Sequence, residues 1–90
     1  MTGRYLEITF RKGRPLAAYL YLPRREGDRS ARTDDAGDGL VVDFAADGRP
    51  IGIEILAPGR VGARAINQVL RRLGIDELSQ EELAPVVGAA

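Results

Sequence analysis

Four stretches of the chain alternate apolar and polar positions with a period of two, the signature of half-buried strands. Residues 5–10 place Leu6, Ile8 and Phe10 on one side, and residues 16–22 place Leu16, Ala18, Leu20 and Leu22 on one side. Between them Arg11-Lys12-Gly13 reads as a three-residue hairpin loop with Gly13 at the left-handed position, which pairs Ile8 with Leu16 and Leu6 with Ala18. Tyr5, Tyr19 and Tyr21 then share the opposite face with Glu7, Thr9 and Ala17. The second hairpin spans residues 39–56 around an Asp-Gly at 47–48, the strongest kind of short-range hairpin signal.

Parity selects the register of this central hairpin. A two- or four-residue loop sets Phe44 against Ile51, Val42 against Ile53 and Leu40 against Ile55, giving one wholly apolar face. A three-residue loop would set Phe44 beside Pro50 and Val42 beside Gly52, mixing the faces. In the clean register Asp43 and Glu54 lie on the polar face as diagonal neighbours, about 6–8 Å apart.

The period changes after Ala57-Pro58-Gly59. Ile66, Val69, Leu70 and Leu73 fall at helical spacing, so residues 61–73 form an amphipathic helix with Arg71 and Arg72 in its last turn. Gly74 stands at the left-handed cap position and Ile75 where the accompanying apolar contact belongs. Ser79 and Glu82 form a capping box for a short helix over 79–85, with Leu78 and Leu83 as its staple and Pro85 limiting its length. Residues 23–38 are charged and turn-rich, and read as a mobile loop carrying at most a short edge strand near Ala31-Arg32-Thr33. The expected fold is a single α+β domain over 1–90. It comprises a first hairpin (5–22), the charged loop (23–38), the central hairpin (39–56) completing a four-stranded antiparallel β-meander, one amphipathic helix and a short C-terminal helix.

Composition narrows the chemistry. Cysteine and histidine are both absent from the 90 residues, which removes disulfides, thiolate metal sites and the commonest general base and metal ligand. Ser30 and Ser79 are the only serines, and neither has a histidine to activate it. No catalytic residue, metal site or cofactor is therefore expected. The formal net charge is zero but split, +5 over residues 1–32 and −5 over 33–90, so two copies or two parts of one chain can attract each other. No apolar run approaches the roughly 20 residues needed to span a bilayer, and the chain reads as cytoplasmic with no membrane partner.

Two surface groups carry the candidate chemistry. Asp43 and Glu54 could serve as an acid/base or cation-binding pair, but a polar sheet face kept soluble explains them without chemistry. Tyr5, Tyr19 and Tyr21, with Arg11, Arg24 and Arg25 nearby, could stack on the bases of a single strand, or form an aromatic subunit contact. Gly59 and Gly62 ahead of the helix lack a Gly-Lys-Ser/Thr signature and read as turn residues rather than a phosphate loop. The two hairpins offer thirteen inward apolar residues, seven and six respectively. Four strands span about 19 Å and one helix covers about 10 Å of that. The excess predicts a homodimer that buries the uncovered sheet face or an edge strand.

The run from Asp38 to Phe44, the Asp47-Gly48-Arg49 turn and Gly52-Ile53-Glu54-Ile55-Leu56 together resemble the bacterial domain of unknown function family 2283 over about residues 5–58. In that family an Asp-Gly-Val-Val-Val-Asp-Tyr run leads through Asp-Gly-Arg into Val-Gly-Ile-Glu-Ile-Leu. Ala18 to Leu22 and Ala31-Arg32-Thr33 fit its upstream segments, while Gly13-Arg14-Pro15 and the helical tail depart from it. The resemblance implies a β-rich bacterial domain with no assigned activity or functional residues, and an antitoxin-like binding role as one use. The leading expectation is a non-enzymatic protein-interaction or homodimerising domain. A nucleic-acid-binding accessory is the alternative, and a carboxylate-based enzyme or metal binder the third.

Overall fold

The computed structural model describes residues 4–58 and 62–82. Five strands form one antiparallel sheet: β1 (Tyr5–Arg11), β2 (Arg14–Tyr21), β3 (Arg32–Gly37), β4 (Leu40–Phe44) and β5 (Pro50–Ile55). A single longer helix, α1 (Ala63–Arg72), packs on one face. The α+β class and the antiparallel sheet are as the periodicity requires. The order is not that of a four-stranded meander: it runs β1-β2-β5-β4-β3. β2 pairs with the last strand of the central hairpin, Leu20 opposite Ile53 and Ala18 opposite Ile55, instead of with the strand next in sequence. Both arrangements match apolar faces equally well, so alternation alone does not separate them.

The charged segment supplies the fifth strand. Thr33 lies opposite Asp43 and Asp35 opposite Val41, and the hairpin closes at Asp38-Gly39, where both residues take positive φ (55° and 75°) as a two-residue primed turn requires. The stretch ahead of it is not a structureless loop. Asp28 N–H donates to the Arg25 carbonyl at 3.1 Å, Ala31 N–H to the Phe44 carbonyl at 2.8 Å, and Arg49 grips the Asp28 carboxylate at 2.8 Å.

Both expected hairpins contain an extra residue close to the turn. In the first, the loop is two residues, Lys12-Gly13, and Arg11 pairs with Arg14. Leu16 bulges out, so Ile8 meets Ala18 and Leu6 meets Leu20 rather than Leu16 and Ala18. In the central hairpin, Gly48 N–H donates to the Ala45 carbonyl and Ala45 N–H to the Arg49 carbonyl, which closes a three-residue loop. Phe44 accordingly pairs with Pro50, not Ile51; then Ile51 is the extra residue, and Asp43–Gly52, Val42–Ile53 and Leu40–Ile55 follow in the clean register. Loop geometry and face burial conflict by one residue, and a bulge resolves the conflict.

Ala18, Leu20, Leu22, Leu40, Val42, Ile53 and Ile55 form the sheet side of the core, and Ile66, Val69, Leu70 and Leu78 cover them. Leu6 and Ile8 pack at its margin. Phe10 and Leu16, expected inside, are 57% and 52% exposed because the far end of the first hairpin extends past the helical layer. The helix ends as its sequence dictates. Gly74 N–H donates to the Arg71 carbonyl and Ile75 N–H to that of Leu70, with Gly74 at φ 74°. The capping box is formed in both directions: Glu82 N–H to Ser79 Oγ at 3.1 Å, and Ser79 N–H to Glu82 Oε1 at 3.0 Å. Residues 80–82 are helical, where the short second helix is expected. The expected Leu83 staple, the Pro85 stop and the predicted first helical residue, Val61, lie outside the described residues.

Candidate functional site: a tyrosine cluster on the open sheet face

With α1 on one side, the opposite face of the sheet carries Tyr5, Glu7 and Thr9 from β1, Tyr19 and Tyr21 from β2, Gly52 and Glu54 from β5, and Val41 and Asp43 from β4. The three expected tyrosines do converge. Tyr5 and Tyr21 stack with ring centroids 4.4 Å apart and planes 17° from parallel, and Tyr19 meets Tyr21 edge-on at 4.7 Å.

Tyr19 does more than stack. It lies across Gly52, and a Cβ built at Gly52 would fall on its ring and hydroxyl. Only a residue without a side chain lets the ring cross β5. The hydroxyl thereby reaches β4 and donates to Asp43 Oδ2 at 2.6 Å. Burial first, and then the hydrogen bond and negative charge of Asp43, hold the phenol neutral well above its ordinary range. The Tyr21 phenol is also raised, by desolvation and by Glu7, whose Oε1 lies 3.5 Å from its hydroxyl.

Arg24 completes the cluster from just beyond β2. Its Nε donates to the Ile51 carbonyl at 3.1 Å and its Nη2 to the Tyr19 hydroxyl at 3.0 Å. The guanidinium also sits 5.3 Å from the Tyr21 ring centre and 5.9 Å from that of Tyr19. The bulge at Ile51 is thus held by a side chain as well as by Leu22 N–H, which donates to the same carbonyl at 3.2 Å. Arg25 and Arg11, named with Arg24 from sequence, play no such part: Arg25 uses its backbone N–H on Asp28, and Arg11 closes the turn at the other end of β1.

Asp43 and Glu54 keep the diagonal register expected of them but have different surroundings. Asp43 accepts from Tyr19, whereas Glu54, opposite both Tyr19 and Val41, is exposed. Among the described residues there is no group of three or more acids that could hold a metal ion, and no helix is long and apolar enough to cross a membrane. A phenol held neutral against a carboxylate keeps its proton. The arrangement fixes shape and presents aromatic surface.

Sequence reasoning missed the roles of Arg24 and Arg49. Arg49 binds Asp47 Oδ2 at 2.6 Å and Asp28 Oδ1 at 2.8 Å, so the Asp-Gly-Arg turn also anchors the loop before β3. Both carboxyls are lowered by that hydrogen bonding to Arg49, and its guanidinium is raised in return. A guanidinium two residues after a turn aspartate was the available signal; its second partner, twenty-one positions upstream, was not readable.

No curated protein and no solved structure is significantly similar to the chain. A family model does match, over residues 17–57, and that span contains Tyr19, Arg24, Asp28, Asp43, Arg49 and Gly52. The segment that carries Tyr19, Tyr21 and their supports therefore resembles the family described as "Protein of unknown function (DUF2283)", with all of β1, Tyr5 included, and all of α1 outside the match.

Proposed function

We propose that the chain is a non-enzymatic protein-interaction domain whose recognition surface is the open sheet face, and that it takes a cationic segment of a partner polypeptide. The observation that carries this reading is the stacked Tyr5–Tyr21 pair, buttressed by Arg24 and set beside the carboxylates Glu7 and Glu54. Stacked phenols whose free edge is flanked by acids suit arginine or lysine side chains, through ring-face attraction and ion pairing together. The tyrosine stack also favours the alternative of single-strand nucleic acid, but those carboxylates oppose a phosphate backbone.

The chain supplies its own reporter, because its three tyrosines all lie in this cluster and it contains no tryptophan. Titrating an arginine-rich peptide should change tyrosine fluorescence saturably, and Glu54→Lys with Glu7→Lys should weaken binding at least tenfold. A single-stranded oligonucleotide that binds more tightly than the peptide, with affinity falling steeply with salt, would replace this reading with the nucleic-acid one.

A further inference from the structure

The two edges of the sheet are built differently. At one edge β3 carries Arg32-Thr33-Asp34-Asp35, with Arg32 lying over the Phe44 ring at 4.3 Å and a bulge after Asp35. Charges turned toward the core side and a bulge are the devices that blunt an edge against further pairing. β1, the other edge, has neither: it is seven residues long, its irregularity falls in β2, and its inward positions are Leu6, Ile8 and Phe10. Among the described residues no strand pairs with its outer side.

The direction of its free backbone groups follows from the turn. Arg11 and Arg14 close a two-residue primed loop, so they form a hydrogen-bonded pair, and alternation then points the backbone of Tyr5, Glu7, Thr9 and Arg11 at β2. Pro15, which has no N–H, sits opposite Phe10, where a non-bonded pair requires none. The N–H and C=O groups of Leu6, Ile8 and Phe10 therefore face outward.

We propose that two copies of the chain pair antiparallel through β1, about a two-fold axis at Ile8, to form a continuous ten-stranded sheet. This register joins Ile8 to Ile8 and Leu6 of each copy to Phe10 of the other, so it uses every outward backbone group of the strand. It covers Phe10, otherwise 57% exposed, and extends the apolar layer across the axis. On the opposite face Tyr5, 43% exposed, meets Arg11 of the other copy, a ring-and-guanidinium pair. Glu7 lies diagonal both to Glu7 and to Arg11 of the second copy, so the like-charge approach is offset by an ion pair. A shift of one residue would turn Leu6 and Phe10 to opposite faces, which selects this register.

Sedimentation equilibrium at micromolar concentration should give twice the 9.7 kDa of the chain. Phe10→Lys, at a solvent-exposed site in one copy, should raise the dimer dissociation constant at least tenfold with the thermal midpoint of the monomer unchanged. Because the chain contains no cysteine, Ile8→Cys provides a register test. Bonded antiparallel pairs hold their Cα atoms about 5.5 Å apart, within disulfide range. Mild oxidation should cross-link this variant, while Thr9→Cys should stay reduced. A monomer at all concentrations, or a dimer indifferent to Phe10→Lys and uncross-linked at Ile8→Cys, would overturn the proposal. Peptide binding by the open face is read separately, by fluorescence with Glu54→Lys alone, because Glu54 on β5 lies away from the paired edge whereas Tyr5 and Glu7 also meet Arg11 of the second copy.

Discussion

Tyr19 links three strands at one point: it is held on β2, crosses β5 at Gly52 and ends on Asp43 of β4. A methyl group at Gly52 must displace the ring, so Gly52→Ala should destabilise the fold by about 1–3 kcal/mol, with the loss read from urea unfolding. Tyr19→Phe keeps the ring but leaves the Asp43 carboxylate without its donor, at a cost of about 1.5–3 kcal/mol. The same phenol gives an alkaline signature. Its folded value is raised above the ordinary 10.0, so the unfolded chain loses this proton first. The stability that Tyr19 contributes is complete below pH 10 and declines as pH rises beyond it, and Tyr19→Phe should flatten that decline. Asp43 was visible in the sequence as a polar-face residue and its reason was not, because acceptor and donor lie on β4 and β2, two strands that face each other across β5 in an order the chain does not reveal. Gly52 was the available signal: a glycine inside a strand often marks a close approach.

At the scale of elements, faces were legible and neighbours were not. Alternation assigned the side of Leu6, Ile8, Ala18, Leu20, Val42 and Ile53 correctly, since burial needs parity only. The bulges at Leu16 and Ile51 escaped notice because each adds one residue where loop geometry and parity disagree. β3 was legible only as a possible short edge strand near residues 31–33, short of its full run to Gly37, because Arg32-Thr33-Asp34-Asp35 has no apolar alternation. Asp38-Gly39, as clear a turn signal as Asp47-Gly48, marked its end. The helix terminus was read fully, because Gly74 and Ile75 act locally. Gly74→Ala, at φ 74°, should cost about 1–2 kcal/mol in a chemical melt, whereas the same change at Gly62, whose surroundings are open and whose φ is −80°, should cost little.

Across the molecule, the uneven charge is used in part to tie the two ends of the described chain together. Arg4 donates to the Asp76 and Glu77 carbonyls at 2.6 and 2.9 Å and to both carboxylate oxygens of Glu82, at 2.9 and 3.3 Å. Arg4 first, then the Ser79 backbone, lowers the Glu82 carboxyl to about 2 from an ordinary 4.5. The contribution of this clasp is therefore complete above pH 4.5 and is lost as pH falls toward 2, in the same direction as the lowered Asp28 and Asp47. Thermal midpoints followed from pH 7 to pH 2 should fall below pH 4.5, and Glu82→Gln should start lower and fall less.

The strand order has a consequence in time. During synthesis β1 and β2 emerge first, yet the strand that flanks β2 is the last of the five to be made. Until residue 55 has left the ribosome, the first hairpin has both edges open, and a lone two-stranded hairpin is marginal in water. β5 then closes β2 on one side and β4 on the other in a single event, so the nascent chain passes from two unjoined pieces to a sheet when its final strand arrives. Before that event, the Leu20 edge is as available to a neighbouring nascent chain as the β1 edge is afterwards.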